Sequence, residues 1–397
     1  MEFQKTNLGE LSVNGKGSYG IAASAVPYSD ELFTYLRITD INDDGTLNKS
    51  GLMSVSDEKA EQYLLKPNDI VFARTGGSTG RNYFYDGTDG EFVYAGFLIK
   101  FSIDSTKVNP RFIKYYCLSQ EYRGWVHSFN TGSTRGNINA QTYANMPILL
   151  PSREQQDLLV DTLSVIDEKI KLNTAINENL EQQAQAYFVD LFITNVDPNW
   201  RIGTISDLGN VVGGGTPSKK IKEYYTSDGI AWITPKDLSN DKSKFVAHGE
   251  TDITELGLAK SSATLMPKCA VLFSSRAPIG YIAIADGQVC TNQGFKSIVP
   301  FDNVGTAFVY YFLKENLSAI ENVASGSTFK EVSGSTMKNF TAIIPDNDTL
   351  AEFQRFCSPL FEQQRALEYE NRYLSSIRDT FLPKLMNGEI DVSAVQI

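Results

Sequence analysis

Residues 152–192 read SREQQDLLVDTLSVIDEKIKLNTAINENLEQQAQAYFVDLF. Leu159, Ile166, Asn173, Leu180 and Tyr187 recur every seven residues. Leu163, Ile170, Asn177, Ala184 and Leu191 fall four residues after them. This is the a/d seam of a single long helix, interrupted at its centre by two amides. Ser152 is a suitable N-cap, and Glu154 places an acid in the first turn. The pattern returns near the other end of the chain. Phe353, Leu360, Leu367, Leu374 and Phe381 keep the seven-residue spacing, and Asn371 repeats Asn177. The offset is constant, since 353 − 159, 371 − 177 and 381 − 187 each give 194.

The same offset extends outward from the helices. Gly132-Ser133-Thr134 is answered by Gly326-Ser327-Thr328, and Pro151 by Pro345. Farther out the match is one of pattern and not of that offset: Leu36-Arg-Ile-Thr-Asp-Ile41 is answered by Trp232-Ile-Thr-Pro-Lys-Asp-Leu238, and the run 69–74 by 269–276. Short runs rich in β-branched and aromatic residues at 33–41, 69–74, 96–103 and 146–150 predict strands. Asn109-Pro110 opens a helix over 111–118. The chain is therefore a tandem duplication of about half its length, not a short-period solenoid. The expected fold is α+β, with two globular domains of mixed strands and short helices at 1–151 and 196–346. Two long helices, at 152–195 and 347–386, separate them, and 387–397 is a tail. If the seams pair, chain order makes the helices antiparallel about a pseudo-two-fold axis. Asn173, Asn177 and Asn371 then lie mid-helix, where buried amides fix register. About 40 residues of helix span roughly 60 Å.

Composition narrows the functional classes. The chain is 42% hydrophobic and 21% charged, with no apolar run long enough for a membrane span and no signal-peptide pattern at its start. The expectation is a cytoplasmic protein. Four scattered cysteines read as free thiols, and His127 and His248 alone cannot build a metal cluster. The net charge of −11 argues against a basic nucleic-acid footprint over the whole surface. Over half of that excess lies in the helical segments and tail, which leaves the globular halves nearly neutral.

Catalytic motifs are weak throughout. Gly15-x-Gly17-x-x-Gly20 matches a dinucleotide fingerprint, but no adequate strand precedes it and Pro27 cuts off the following helix. Asp197-Pro-Asn-Trp200 lacks the second proline of the adenine-methyltransferase motif it resembles. Asp57-Glu-Lys59 and Asp167-Glu-Lys169 lack the upstream residues of a nuclease site. The glycine-rich stretches 74–80 and 213–219 can instead present N–H groups and cations to phosphates. The loops 129–137 and 324–330 carry hydroxyls, amides and a cation at matching places in both repeats, side chains suited to base edges. The candidate DNA-binding residues of the first domain are Arg74, Ser78, Arg81, Thr134, Arg135 and Asn137. Those of the second are Thr216, Lys219, Lys220, Lys236, Ser275, Arg276, Ser327 and Lys330. The competing class is a two-headed protein-binding scaffold with a coiled-coil spacer and no DNA role.

Several stretches carry a resemblance to a known family. They are WRIGTISDLGNVVGGGTP at 200–217, the run 232–238, Gly326-Ser-Thr328, AQAYFVDLF at 184–192 and LSSIRDTFLPKLMNGEIDV at 374–392. The chain resembles the specificity subunit of type I restriction–modification systems over essentially its whole length. The resemblance implies a non-catalytic subunit in which each globular domain reads one half of a split, asymmetric site in double-stranded DNA. It implies that the helical pair sets the gap and docks two methyltransferase subunits, with restriction–translocase subunits joining them. No cofactor is implied on this chain, while S-adenosylmethionine, ATP and magnesium are expected on the partners. Enclosure of the DNA by partners would reconcile its binding with an acidic chain.

Overall fold

The computed structural model describes residues 3–129, 136–326, 330–386 and 388–389. Contacts divide the chain into two units, Met1–Lys169 with Leu374–Ile397, and Ile170–Tyr373. The border falls inside both long helices, Arg153–Val189 and Asn347–Met386.

The strands of the first unit are β1 (Gln4–Asn7), β2 (Ser18–Tyr19), β3 (Ala25–Val26), β4 (Phe33–Leu36), β5 (Met53–Val55), β6 (Asp69–Ala73), β7 (Asn82–Tyr85), β8 (Phe92–Tyr94), β9 (Leu98–Ser102) and β10 (Pro147–Leu150). They form sheets in the orders β2-β9-β6-β7 and β3-β5-β4-β8, with a ribbon β1-β10. The second unit contributes β11 (Arg201–Thr204), β12 (Gly209–Gly213), β13 (Tyr225–Thr226), β14 (Ile230–Ile233), β15 (Phe245–Val246), β16 (Asp252–Ile253), β17 (Val271–Ser275), β18 (Ile279–Ala285), β19 (Val289–Thr291), β20 (Lys296–Pro300) and β21 (Thr341–Ile344). Its orders are β12-β20-β17-β18-β15, β13-β16-β14-β19 and β11-β21. Strand for strand the two units match, and β15 extends one sheet of the second. Parallel pairing also recurs, between β4 and β8 and between β14 and β19.

Burial explains why these runs are strands. β6 and β17, DIVFA and VLFSS, are buried along their whole length, as continuous apolar runs inside a sheet should be. In the first unit Ile70 and Phe72 join Phe112 and Tyr115 of the helix Pro110–Tyr116 in one core. Leu159 and Leu163 complete that core together with Leu382, Leu385 and Met386 of the second long helix. In the second unit Val271 and Phe273 pack with Phe308 and Tyr311 of the helix Thr306–Glu315, with Ala184 and Phe188, and with Phe353 and Phe361. Each core is thus closed by turns of both long helices.

The helices run antiparallel within the second unit. Asn173 contacts Asn371, Asn177 contacts Gln364, and Phe188 meets Phe353, so one number rises as the other falls. Asn173 is fully buried. Its Nδ2 donates to Glu370 Oε2 at 2.8 Å and to Asn371 Oδ1 at 2.9 Å. The Oδ1 atoms of Asn173 and Asn177 are buried without a hydrogen-bond partner among the described residues. Leu180 is buried on the same helix and Ile166 half-buried. The second helix departs from the heptad row. Within the second unit its buried positions are Leu350, Phe353, Cys357, Phe361 and Gln364, while Leu360, Leu367 and, farther along, Leu374 are half-buried. That spacing follows the ~3.6-residue pitch of a straight helix, because this helix packs on the unit's core as well as on its partner helix. Phe381, expected in the seam, is 42% exposed, and Leu382 takes the buried place at 3%.

Candidate nucleic-acid interface

In the first unit β6 delivers Arg74 directly into a cluster of loops. Its N–H donates to Phe97 O at 3.1 Å, and its carbonyl accepts from Ile138 N at 2.9 Å. The guanidinium lies 5.0 Å from the centre of the Tyr19 ring. Tyr19 is fixed in turn, since its hydroxyl accepts from Ala140 N at 3.2 Å. Thr75 bridges Asn137, and half-buried Ser78 sits in the turn that follows. From beneath, Tyr143 donates to Ala73 O at 2.9 Å and Tyr122 to Gly80 O at 2.6 Å. Arg74, Ser78 and Asn137 are therefore brought together. Arg81 is otherwise engaged. Its Nε and Nη2 reach the two carboxylate oxygens of Asp43 at 2.7 and 3.2 Å, and Nη1 donates to Ile41 O at 3.1 Å. With its fork consumed, Arg81 braces the loop and is not a free cation. Thr134 and Arg135 lie outside the described residues.

In the second unit the equivalent cluster is built differently. Ser275 N donates to Gly294 O at 2.7 Å, and Val332 N to Ser275 O at 3.0 Å. This is the bonding pattern of Arg74, so Arg74 corresponds to Ser275 and not to Arg276, as alignment of 69–74 with 269–276 suggests. Ser275 is fully buried, with its hydroxyl donating to Gly294 O at 3.1 Å, which removes it from the surface candidates. Arg276 pairs with Glu331 at 3.2 Å, and Lys296 reaches the same carboxylate at 3.4 Å. The Thr216 hydroxyl donates to the Gln293 amide oxygen. Lys236 is paired with Glu250 at 2.6 Å, and that hydrogen bond raises its pKa. Lys219, Lys220 and Lys330 are exposed. Ser327 lies outside the described residues.

The glycine turns have a steric role. A Cβ on Gly20 would lie 2.2 Å from Tyr94 O, and one on Gly214 would lie 1.9 Å from Asn292 O. Both glycines let the chain leave β2 or β12 against the neighbouring β8–β9 or β19–β20 connection, where a side chain cannot fit. Four residues at these sites escaped the sequence reading: Tyr19, Phe97, Gln293 and Lys296. Phe97 opens an apolar run, FLIKF, that reads as strand interior. Only the β6–β9 register, which pairs Ala73 with Leu98, places Phe97 beyond the sheet.

In each unit a carboxylate anchors the domain to the long helices. In the first unit Asp167 accepts from Lys114 at 2.5 Å, Tyr115 at 3.0 Å and Arg378 at 3.2 Å. Burial pushes the Asp167 carboxyl up, but Lys114 and Arg378 outweigh it and hold the pKa below its ordinary value. In the second unit Glu181 meets Lys244 at 2.7 Å, Tyr311 at 2.9 Å and Lys314 at 2.6 Å. Burial again opposes ionisation, and the two lysines bring the carboxyl down to about 2. Lys244 is itself buried, between the rings of Phe361 at 3.6 Å and Tyr310 at 4.6 Å. Desolvation lowers its pKa to about 8, with Glu181 opposing the fall.

Comparison with known proteins adds an independent line. The model of the type I restriction modification DNA specificity domain matches residues 6–182 and 198–368. One stretch is 44% identical to the type I restriction enzyme MjaIX specificity subunit of Methanocaldococcus jannaschii, over 38% of this chain and 35% of that one. The HindI specificity subunit of Haemophilus influenzae is 24% identical over 82% of this chain and 87% of its own length. The crystal structure of a type I restriction–modification system S subunit from M. genitalium shares the fold at a TM-score of 0.53, with 13% identity over 97% and 96% of the two chains.

Proposed function

The chain belongs to the type I restriction modification DNA specificity family, and from that premise we propose that each of its units reads one half of a split, asymmetric site in double-stranded DNA. The observation that carries this reading is the duplication itself. The family match falls on both repeats, and both have the same sheet order. Two similar but non-identical readers joined by continuous helices suit a site of two unlike halves. The paired helices, through seam positions such as Leu159, Leu180, Asn371 and Leu374, would set the gap and dock two methyltransferase subunits. Restriction–translocase subunits would join that complex. S-adenosylmethionine, ATP and magnesium belong to those partners, and this chain supplies recognition without bond-making.

Cations and polar groups at the loop clusters are the proposed contacts: Arg74, Ser78 and Asn137 in one unit, and Thr216, Lys219, Lys220 and Lys330 in the other. Arg276 and Lys236 would have to exchange a carboxylate for a phosphate. Thr134, Arg135 and Ser327 stay in the proposal as members of the adjoining loops. No helix among the described residues is long and apolar enough to cross a membrane, and the proposed site of action is cytoplasmic DNA. The test is co-expression with the methyltransferase subunit of the same system, followed by mapping of modified adenines. The expected result is a two-part motif with a fixed gap, which lengthens or disappears when one heptad is inserted into the first helix. A motif unchanged by that insertion, or an absence of methylation with an active partner, overturns the reading.

A further inference from the structure

Three corresponding positions differ between the units in one direction. Tyr19 pairs with Ile99 as Gly213 pairs with Lys296. Arg74 corresponds to Ser275 by its backbone bonds, and Phe97 to Gly294 because these two supply the accepting carbonyls. The first unit thus carries tyrosine, arginine and phenylalanine where the second carries glycine, serine and glycine. Phe97 is 60% exposed and Tyr19 is 42% exposed. Both rings therefore leave much of their surface open to solvent. Arg74 is held over the Tyr19 ring, a contact that orients a guanidinium without neutralising it. Its Nε is buried without a hydrogen-bond partner, and no carboxylate pairs with it among the described residues.

From this we infer that Tyr19, Arg74 and Phe97 form the base-reading knuckle of the first unit. Arg74 presents its fork to the O6 and N7 acceptors of a guanine in the major groove, and Phe97 lies against the apolar edge of the neighbouring base. Tyr19 is a positioning residue. The inference rests on the DNA-specificity reading and deepens it. Three features favour a base edge over a phosphate. The cation is pre-oriented by an aromatic face, an exposed apolar ring stands beside it, and a planar fork matches guanine's two acceptors. A phosphate contact needs neither the ring nor the fixed orientation.

The full complex with its methyltransferase tests this, with genome-wide adenine mapping as the readout. Arg74→Lys keeps the charge and removes the fork. It should relax one base of one half-site, with roughly ten- to a hundredfold loss of discrimination there, and leave the other half-site intact. Phe97→Ala should relax the adjacent position. Tyr19→Leu should reproduce the Arg74 effect more weakly, while Arg74→Ala should make Tyr19→Leu silent. Uniformly weaker methylation with the motif unchanged assigns Arg74 to a phosphate and overturns the inference, as does relaxation confined to the half-site read by the second unit. An unfolded variant is recognised by loss of the complex on size-exclusion. Arg74→Gln, which keeps a planar donor group, then serves in its place and should shift the preferred base toward adenine. If the unsubstituted chain directs no two-part motif, the broader reading fails and not this one.

Discussion

The two units share strand order and differ in relief and in anchoring. At the loop cluster the first unit projects Tyr19, Arg74 and Phe97, and the second keeps small residues at those three positions and ties Arg276 and Lys296 to Glu331. At the joint with the long helices, both use a tyrosine and a lysine from a domain helix to grip one carboxylate. In the first unit that carboxylate, Asp167, belongs to the helix that leaves the domain. In the second, Glu181 belongs to the helix that enters it. The role has been kept while its position along the chain has not. What a duplicated fold retains is the packing problem, and here one helix, Arg153–Val189, supplies the carboxylate to both domains.

This comparison can be broken most severely at the joint. Lys244 is buried and Lys114 is about one-third exposed. Glu181→Ala strands a buried ammonium and should cost about 3–5 kcal/mol, read by chemical denaturation with hydrogen exchange resolving the second unit. Asp167→Ala should cost less, about 1–2 kcal/mol, because water can solvate Lys114 and the largely buried Arg378 keeps a second carboxylate, Asp379, at 3.0 Å. Equal losses would show that the anchors are equivalent after all. Next in size are the glycines. Gly20→Ala and Gly214→Ala each force a Cβ onto a backbone carbonyl, with an expected cost of about 1–3 kcal/mol by thermal unfolding. Gly76→Ala, with open space around it but φ of 77°, should cost about 1 kcal/mol.

How much was legible in sequence follows from the same contrasts. The long helices and the duplication were readable because apolar periodicity and a constant offset are properties of the chain alone, whereas the second helix's buried row was not, because it is set by packing on the unit's core. Arg81 and Arg276 read as free cations because their carboxylate partners, Asp43 and Glu331, are remote in sequence. Ser275 read as a surface hydroxyl because the strand's last residue is buried only by the register that brings Gly294 to it. Phe97 was hidden by an apolar run whose first residue lies outside the sheet. In each case the missing information was a pairing between distant segments.

Two smaller effects sharpen the comparison. Glu181 has a folded pKa of about 2 against an ordinary 4.5. Its contribution is therefore complete above pH 4.5 and lost as pH falls toward 2. Glu181→Gln should flatten the acid limb of the second unit's stability curve in that window and leave the first unit's limb alone. An unaltered limb would remove Glu181 as its source. The smallest change is expected at the seam. Asn173→Leu removes an orphaned buried oxygen but also two hydrogen bonds, so stability should move by less than about 1 kcal/mol. The loss should instead appear as looser register, read as gap heterogeneity in the methylated motif.

The sharing of both helices between the units also bears on synthesis. The core of the first unit contains Leu382, Leu385 and Met386, residues that the ribosome adds only after the entire second unit. The first domain to emerge is thus the last to be sealed. At ~5–20 residues per second its apolar face waits more than ten seconds for its final turns of helix. That interval is a vulnerability to aggregation. It is also an opening in which a binding partner could settle on the exposed face before the chain closes on itself.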